Sequence, residues 1–189
     1  MAKKKKQKKS HAVYILLGIL LFLLAIAFVC HRPLARMYFV YDHADTVRSL
    51  SAQYDVPEYL LCGVIWSESH FDPEAVSSAG ACGMMQMMKP TFDEMRSRLG
   101  LTGEGNIFDP EQNLLCGTYY QHYLYDQFGD WDTVLAAYNA GLTRVVGWLY
   151  DPDYSDDGVT LKKIPFPETE NYLKKVHLAE KIYDYLYNY

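Results

Sequence analysis

Apolar and polar positions alternate along this chain in two different ways, and the change comes near residue 31. From Ala12 to Cys30 no residue carries a charge (AVYILLGILLFLLAIAFVC). Nineteen residues at ~1.5 Å each span roughly 28 Å, enough for the hydrocarbon core of a bilayer. Beyond it, apolar residues recur at helical spacing. Asp45 is placed to cap a first helix with Val47, Leu50 and Tyr54 along it. Pro57 suits the opening turn of a second, apolar almost throughout, that ends in Glu68. A third runs from Pro90 to Leu99 and stops at Gly100. Asp109-Pro110-Glu111 joins a cap, a first-turn proline and an acid near the positive helix end, and so predicts a long helix ending at Gly129. Asp130 or Asp132 caps a helix over Thr133–Asn139, broken by Gly141, and Val145–Leu149 forms a short one. The last covers Thr169–Tyr187, with Tyr172, Val176, Ala179 and Tyr183 near one face. Between these, Asp151–Pro167 has no period and reads as a surface loop. No alternating strand pattern is present. The expected fold is mainly α: one globular helical domain (45–189) after a basic tail (1–11), a transmembrane helix (12–30) and a linker (31–44).

Charge assigns the apolar run a direction. The net charge of −5 hides six lysines among the first nine residues, leaving 12 basic against 23 acidic side chains in the rest. So acidic a domain is a poor nucleic-acid binder. Lysines before the run and the large domain after it place the N-terminus in the cytoplasm and the domain outside. A cleaved signal peptide fits less well, because the run is long and ends Phe28-Val29-Cys30-His31 without a small-x-small cleavage site. Val29 also makes Cys30 a poor lipidation site.

Candidate chemistry concentrates after the second helix. Glu68 stands where that helix runs out, beside Ile65 and Trp66, and lost hydration there raises a carboxyl pKa toward the range of a general acid. A solvated surface glutamate is the alternative reading. Ala75, Ser77, Ser78, Ala79, Gly80, Ala81 and Gly83 follow, a run of little side-chain bulk expected where backbone approaches a ligand or turns tightly.

From Glu68 to Gln86 the chain reads E-S-x-F-x-P-x-A-x-S-x-x-G-A-x-G-x-M-Q. Later come Ala137-Tyr138-Asn139-Ala140-Gly141 and Pro167-Glu168-Thr169-x-Asn171-Tyr172. These three ordered motifs, with Phe108-Asp109-Pro110, Asn113, Gly117 and Tyr120 between them, resemble the catalytic domain of the soluble-type lytic transglycosylases, relatives of goose-type lysozyme. The resemblance covers about Asp45 to the C-terminus. It implies a lysozyme-like fold of the α+β superfamily and a peptidoglycan glycan strand as substrate. The reaction it implies is cleavage between N-acetylmuramic acid and N-acetylglucosamine, leaving a 1,6-anhydro end, without metal or organic cofactor. By position, Glu68 would be the acid and then the base. Ser77 would bond near that carboxylate, Gln86 and Met88 would line the sugar site, Tyr138, followed by Asn139, would face the glutamate, and Glu168 would bind substrate further along the groove. Each has a plainer reading: Ser77 as a turn former, Met88 as core, Tyr138 and Asn139 as a helix end, Glu168 as a first-turn acid. Lys89, Glu170 and Met84 depart from the family pattern and bear on groove shape and charge. A hydrolytic lysozyme and an inactive wall-binding tether are the competing functions. Small anchored relatives suggest cell-envelope assembly partners by analogy.

The remaining side chains add less. Cys62, Cys82 and Cys116 allow one disulfide and one free thiol, and spacing does not choose the pair. The histidines are scattered, and no Cys/His spacing suggests a zinc site. Seventeen tyrosines exceed what an ordinary core needs; an aromatic groove suits the apolar faces of sugar rings, although packing accounts for most of them.

Overall fold

The computed structural model describes residues 2–188, with side chains from Val13 onward. Met1 and Tyr189 lie outside the described residues, as do the side chains of the tail lysines. The chain divides into two units, Met1–Tyr38 and Phe39–Tyr189. The first is one helix, α1 (Ala2–Tyr38), which passes through Pro33 without ending. Within its stretch Val13–Tyr38, 18 consecutive residues reach a mean hydropathy of 3.0, and the stretch is long and apolar enough to cross a membrane. Leu16, Leu21, Phe22 and Phe28 are all exposed, an apolar surface far larger than a soluble protein leaves in water.

The second unit holds α2 (Ala44–Tyr54), α3 (Glu58–Ser69), α4 (Lys89–Arg98), α5 (Pro110–Phe128), α6 (Trp131–Ala140), α7 (Leu142–Leu149) and α8 (Pro167–Tyr187). No strand forms among the described residues; Cys82 makes isolated antiparallel bridges to Val76 and Met87. The core is centred on α3, where every residue from Leu60 to Ser67 is buried. Its chief partner is α8. A Cβ at Gly63 would stand 2.8 Å from the Val176 carbonyl oxygen and 3.1 Å from the Glu180 amide nitrogen, so only glycine lets the two backbones come this close.

Sequence signals and structure agree where capping chemistry is local. Asp109 accepts from the Gln112 amide and α5 ends at Gly129 in the left-handed conformation. Of the two aspartates offered for α6 it is Asp130 that caps, accepting from both the amide and the hydroxyl of Thr133. Elsewhere they differ. His43 rather than Asp45 takes the cap position of α2, and Asp45 sits in the first turn, 3.5 Å from Arg48. α7 begins three residues before Val145, at Leu142, and α8 begins at Pro167. The segment read as a linker is helical as far as Tyr38, and Phe39–Tyr41 belong to the folded unit. Tyr183 and Tyr187 donate to the Val40 and Phe39 carbonyls, and the Phe39 ring stacks on Trp66 with centroids 4.7 Å apart. All the cysteines are free thiols; Cys62 and Cys116 are buried, and burial pushes them up to about 12 and about 11.

Gly63→Ala is expected to destabilise the folded unit by about 1–3 kcal/mol, because backbone atoms of α8 must retreat. Gly147→Ala, where nothing lies within 4 Å, should be neutral or stabilising through helix propensity. Thermal unfolding of the two variants in detergent checks the pair.

Candidate active site

Glu68 occupies the last turn of α3, and the chain turns sharply behind it. His70 and Phe71 both adopt left-handed backbone (φ 57° and 67°), an arrangement that side chains disfavour and that packing must hold. Phe71 is buried, and the Ser69 hydroxyl fastens the turn by donating to the Met84 carbonyl (2.7 Å) and accepting from the Asp72 amide (3.1 Å).

Protein crowds the Glu68 carboxyl while part of the residue stays open to solvent. Burial pushes its pKa up to about 7; the Tyr172 hydroxyl and the Lys175 ammonium oppose the rise. Tyr172 lies beside the carboxyl as a donor, although its hydroxyl makes no hydrogen bond of ordinary distance and angle. Lys175 is held by the Ser67 carbonyl (2.7 Å) and by the face of Trp66 (5.1 Å). Burial and the Glu68 charge hold the Tyr138 and Tyr172 hydroxyls well above the usual tyrosine range, so both stay protonated. Tyr138 donates to the Met85 carbonyl at 2.8 Å.

That carbonyl belongs to a loop assembled without strands. The buried Asn113 of α5 accepts from the Met85 amide (2.8 Å) and donates to the Cys82 (3.1 Å) and Ile107 (2.8 Å) carbonyls. Gly83 has φ 77°, and a Cβ there would stand 2.3 Å from the Asn113 amide nitrogen. Gln86, with φ 45°, donates its side-chain amide to the Ala75 (3.0 Å) and Gly83 (2.9 Å) carbonyls. Both amide protons being used, Gln86 offers its neighbours a carbonyl oxygen.

Gln86, Met88, Tyr138 and Asn139 line one hollow of about 270 Å³, together with Tyr120 and Gly141. Glu68 is not in its wall; it is linked to the hollow through Tyr138. Asn139 accepts from the Thr169 hydroxyl (2.8 Å), joining the end of α6 to the start of α8, where Glu168 stands exposed in the first turn. Ser77 is placed otherwise. Its hydroxyl accepts from the Ala81 amide (3.0 Å) within a tight turn, and among the described residues no hydrogen bond joins it to Glu68. Two larger hollows, of about 620 and 650 Å³, flank the buried Arg96 and include none of these residues. Tyr172, Lys175 and Tyr120 are contributors for which sequence reasoning had no role. Tyr172 and Tyr120 stood inside quoted motifs, but nothing local shows that Tyr172, in the second turn of the last helix, meets Glu68.

The raised pKa carries a stability prediction. The folded chain holds the Glu68 proton more tightly than the unfolded chain, whose carboxyl titrates near 4.5. Its favourable contribution is therefore complete at low pH and is lost as pH rises from about 4.5 to about 7. Glu68→Gln keeps the uncharged shape and escapes that loss. It should match the wild type at pH 4 and exceed it by about 1–3 kcal/mol at pH 8, allowing for partial exposure. Denaturant unfolding at the two pH values measures the difference.

Residues 45–157 match the Transglycosylase SLT domain. The soluble lytic murein transglycosylase of Escherichia coli (strain K12) is 36% identical over 147 residues, covering 75% of this chain and 23% of that protein. Membrane-bound lytic murein transglycosylase C of Serratia proteamaculans (strain 568) is 30% identical over 167 residues, covering 76% of this chain and 47% of the relative. Among solved structures, the complex of the 70-kDa soluble lytic transglycosylase with bulgecin A superposes with a TM-score of 0.71 at 29% identity, over 82% of this chain and 26% of that one. The chain thus spans from 23% to 47% of the length of these relatives. With three motifs folded around one crowded carboxyl and a family match over more than half its length, the chain belongs to the transglycosylase SLT domain family.

Proposed function

We propose that this protein is a membrane-anchored peptidoglycan lytic transglycosylase in which Glu68 is both acid and base. The observation that carries this reading is the carboxyl at the end of α3, pushed up to about 7 by burial and set beside Tyr138 at the edge of the hollow. At neutral pH a large fraction of such a group still holds its proton.

Glu68 gives that proton to the glycosidic oxygen, and the N-acetylglucosamine side leaves as an alcohol. The muramic C1 becomes oxocarbenium-like. The C6 hydroxyl of the same sugar then attacks C1, assisted by the N-acetyl group, and its proton passes to the Glu68 carboxylate. A 1,6-anhydro ring results, no water is consumed, and Glu68 ends protonated as it began. Asp72 and Glu74 are exposed in the loop, and Asp72 accepts from the Glu74 amide, so neither is arranged as a buried partner. An internal nucleophile makes a second carboxylate unnecessary and has the entropic advantage of a tethered group. Gln86, Met88, Tyr138 and Asn139 bind the sugars at the hollow, Glu168 meets the strand further along, and Ser77 keeps the small-residue loop in shape beside it.

In the proposed topology the lysines precede the membrane on the cytoplasmic side, α1 crosses it once, and the folded unit faces the wall. An enzyme so tethered opens the wall locally, as an assembled envelope apparatus requires.

Muropeptides released from purified peptidoglycan should carry anhydro ends with the wild type and be absent with Glu68→Gln. Reducing ends would make the protein a lysozyme, and binding without release a tether. The rate should fall as pH rises through about 7, since catalysis begins from protonated Glu68. In protoplasts, external protease should digest the folded unit and spare an N-terminal epitope; the reverse pattern would overturn the topology.

A further inference from the structure

The hollow beside Tyr138 does not end at Gly141. A second hollow of about 430 Å³ shares Ala140 and Gly141 with it and continues past Leu142 and Thr143 to Arg144. Of all the residues lining these two hollows, Arg144 is the one charged side chain. This is notable in a chain whose acidic groups far outnumber its basic ones after the tail. The guanidinium is held by what surrounds it: one nitrogen donates to the Ala140 carbonyl (2.8 Å) and the group lies over the Phe166 ring at 5.1 Å. Both partners are neutral, and among the described residues no carboxylate comes within ion-pairing distance of Arg144. A guanidinium has five donors in a planar fork, so most of its hydrogen-bonding capacity remains for a ligand.

We propose that Arg144 is a carboxylate-binding position at the end of the groove, recognising the acidic substituent on a muramic acid residue of the glycan strand. This rests on the reading of the groove as a peptidoglycan site. The strand's sugar hydroxyls and acetamides are neutral, and its acids hang from the lactyl ether of muramic acid, as carboxylates of the attached peptide or, where no peptide is attached, as the lactyl carboxylate itself. A fixed cation at the end of two hollows whose walls carry no other charged side chain would read that substituent, whereas the neutral wall around Tyr138 reads the sugars. Arg144 then decides which strands are held, leaving the bond-breaking chemistry to Glu68.

Binding tests this apart from cleavage. Full-length protein in detergent, carrying Glu68→Gln with or without Arg144→Gln, is co-sedimented with three preparations of insoluble peptidoglycan. The first has intact stems; in the second, carbodiimide and ammonia have converted the carboxyls to amides; in the third, an amidase has removed the stems and exposed the lactyl carboxylates. Arg144→Gln should weaken binding to intact peptidoglycan by about three- to tenfold, as for a partly exposed charge pair, and the loss should shrink at high salt. On the amidated preparation the two proteins should bind alike. On the stem-free preparation, where the amidase has uncovered the lactyl carboxylate, a loss that persists shows that Arg144 accepts that group as well as the stem carboxylates, and one that vanishes confines recognition to the stem. Equal binding to intact peptidoglycan, or an equal loss with and without carboxylates, overturns the proposal. Failure of the Arg144-intact, Glu68-intact protein to release anhydro ends would overturn the transglycosylase reading alone, because the binding comparison does not depend on it.

Discussion

The close approach of α8 to α3 is the constraint on which the site depends. The missing side chain at Gly63 brings the Val176 carbonyl against α3. The helices run antiparallel, so each step back along α8 meets a later residue of α3: Lys175 reaches the Ser67 carbonyl and Tyr172 reaches Glu68. The same packing desolvates the Glu68 carboxyl and stations a hydroxyl and an ammonium beside it. Desolvation outweighs both, and the pKa rises. Had the Lys175 ammonium paired with the carboxylate directly, the shift would have reversed and the group would be ionised at neutral pH. Its engagement with Ser67 and Trp66 keeps it a neighbour rather than a partner.

Opposite this helix pair stands a wall with almost no repetitive structure. Between Ser69 and Lys89 the chain satisfies its backbone through turns, two isolated bridges and borrowed side chains. Asn113 is the largest of these loans, since one fully buried amide serves three backbone groups from two segments. An unmet polar group there would be costly, so the network holds as a unit or not at all. Through the Met85 carbonyl it also fixes Tyr138, and so the side of the groove that faces Glu68. Loop, α5 and α6 are thereby one mechanical body.

Much of this was legible in the sequence, and what was not has a common cause. The limits of α5 followed from Asp109, Pro110 and Gly129 because capping is decided within a few residues. Glu68 stood out because the apolar run before it is long enough to be buried however the rest folds. Phe39, Val40 and Tyr41 were passed over as linker because their partners, Tyr183 and Tyr187, lie more than 140 residues away. His43, left-handed and without a side-chain cap hydrogen bond, takes the cap position of α2 that Asp45 was expected to fill. Tyr172 and Lys175 were invisible for the same reason as the Phe39 segment: their role exists only once α8 lies on α3.

That no second buried acid stands beside Glu68 among the described residues also has a physical sense. A carboxylate close by would repel the ionised form of Glu68 and drive its pKa higher still, favouring the acid role while making the later base role harder. With burial alone raising it to about 7, Glu68 lies near the point where giving and taking a proton are equally accessible at neutral pH. In the proposed mechanism a single group does both in one cycle and needs that balance, which the packing of α8 supplies. Tyr172, held protonated beside Glu68, can donate toward the carboxylate after it has given up its proton, while Tyr138 stays protonated on the Met85 carbonyl and does not compete as an acid. The walls of the two adjoining hollows carry no charged side chain but Arg144, and Glu68 lies in neither wall. Keeping acid–base chemistry and charge recognition apart in this way lets each be tuned without disturbing the other.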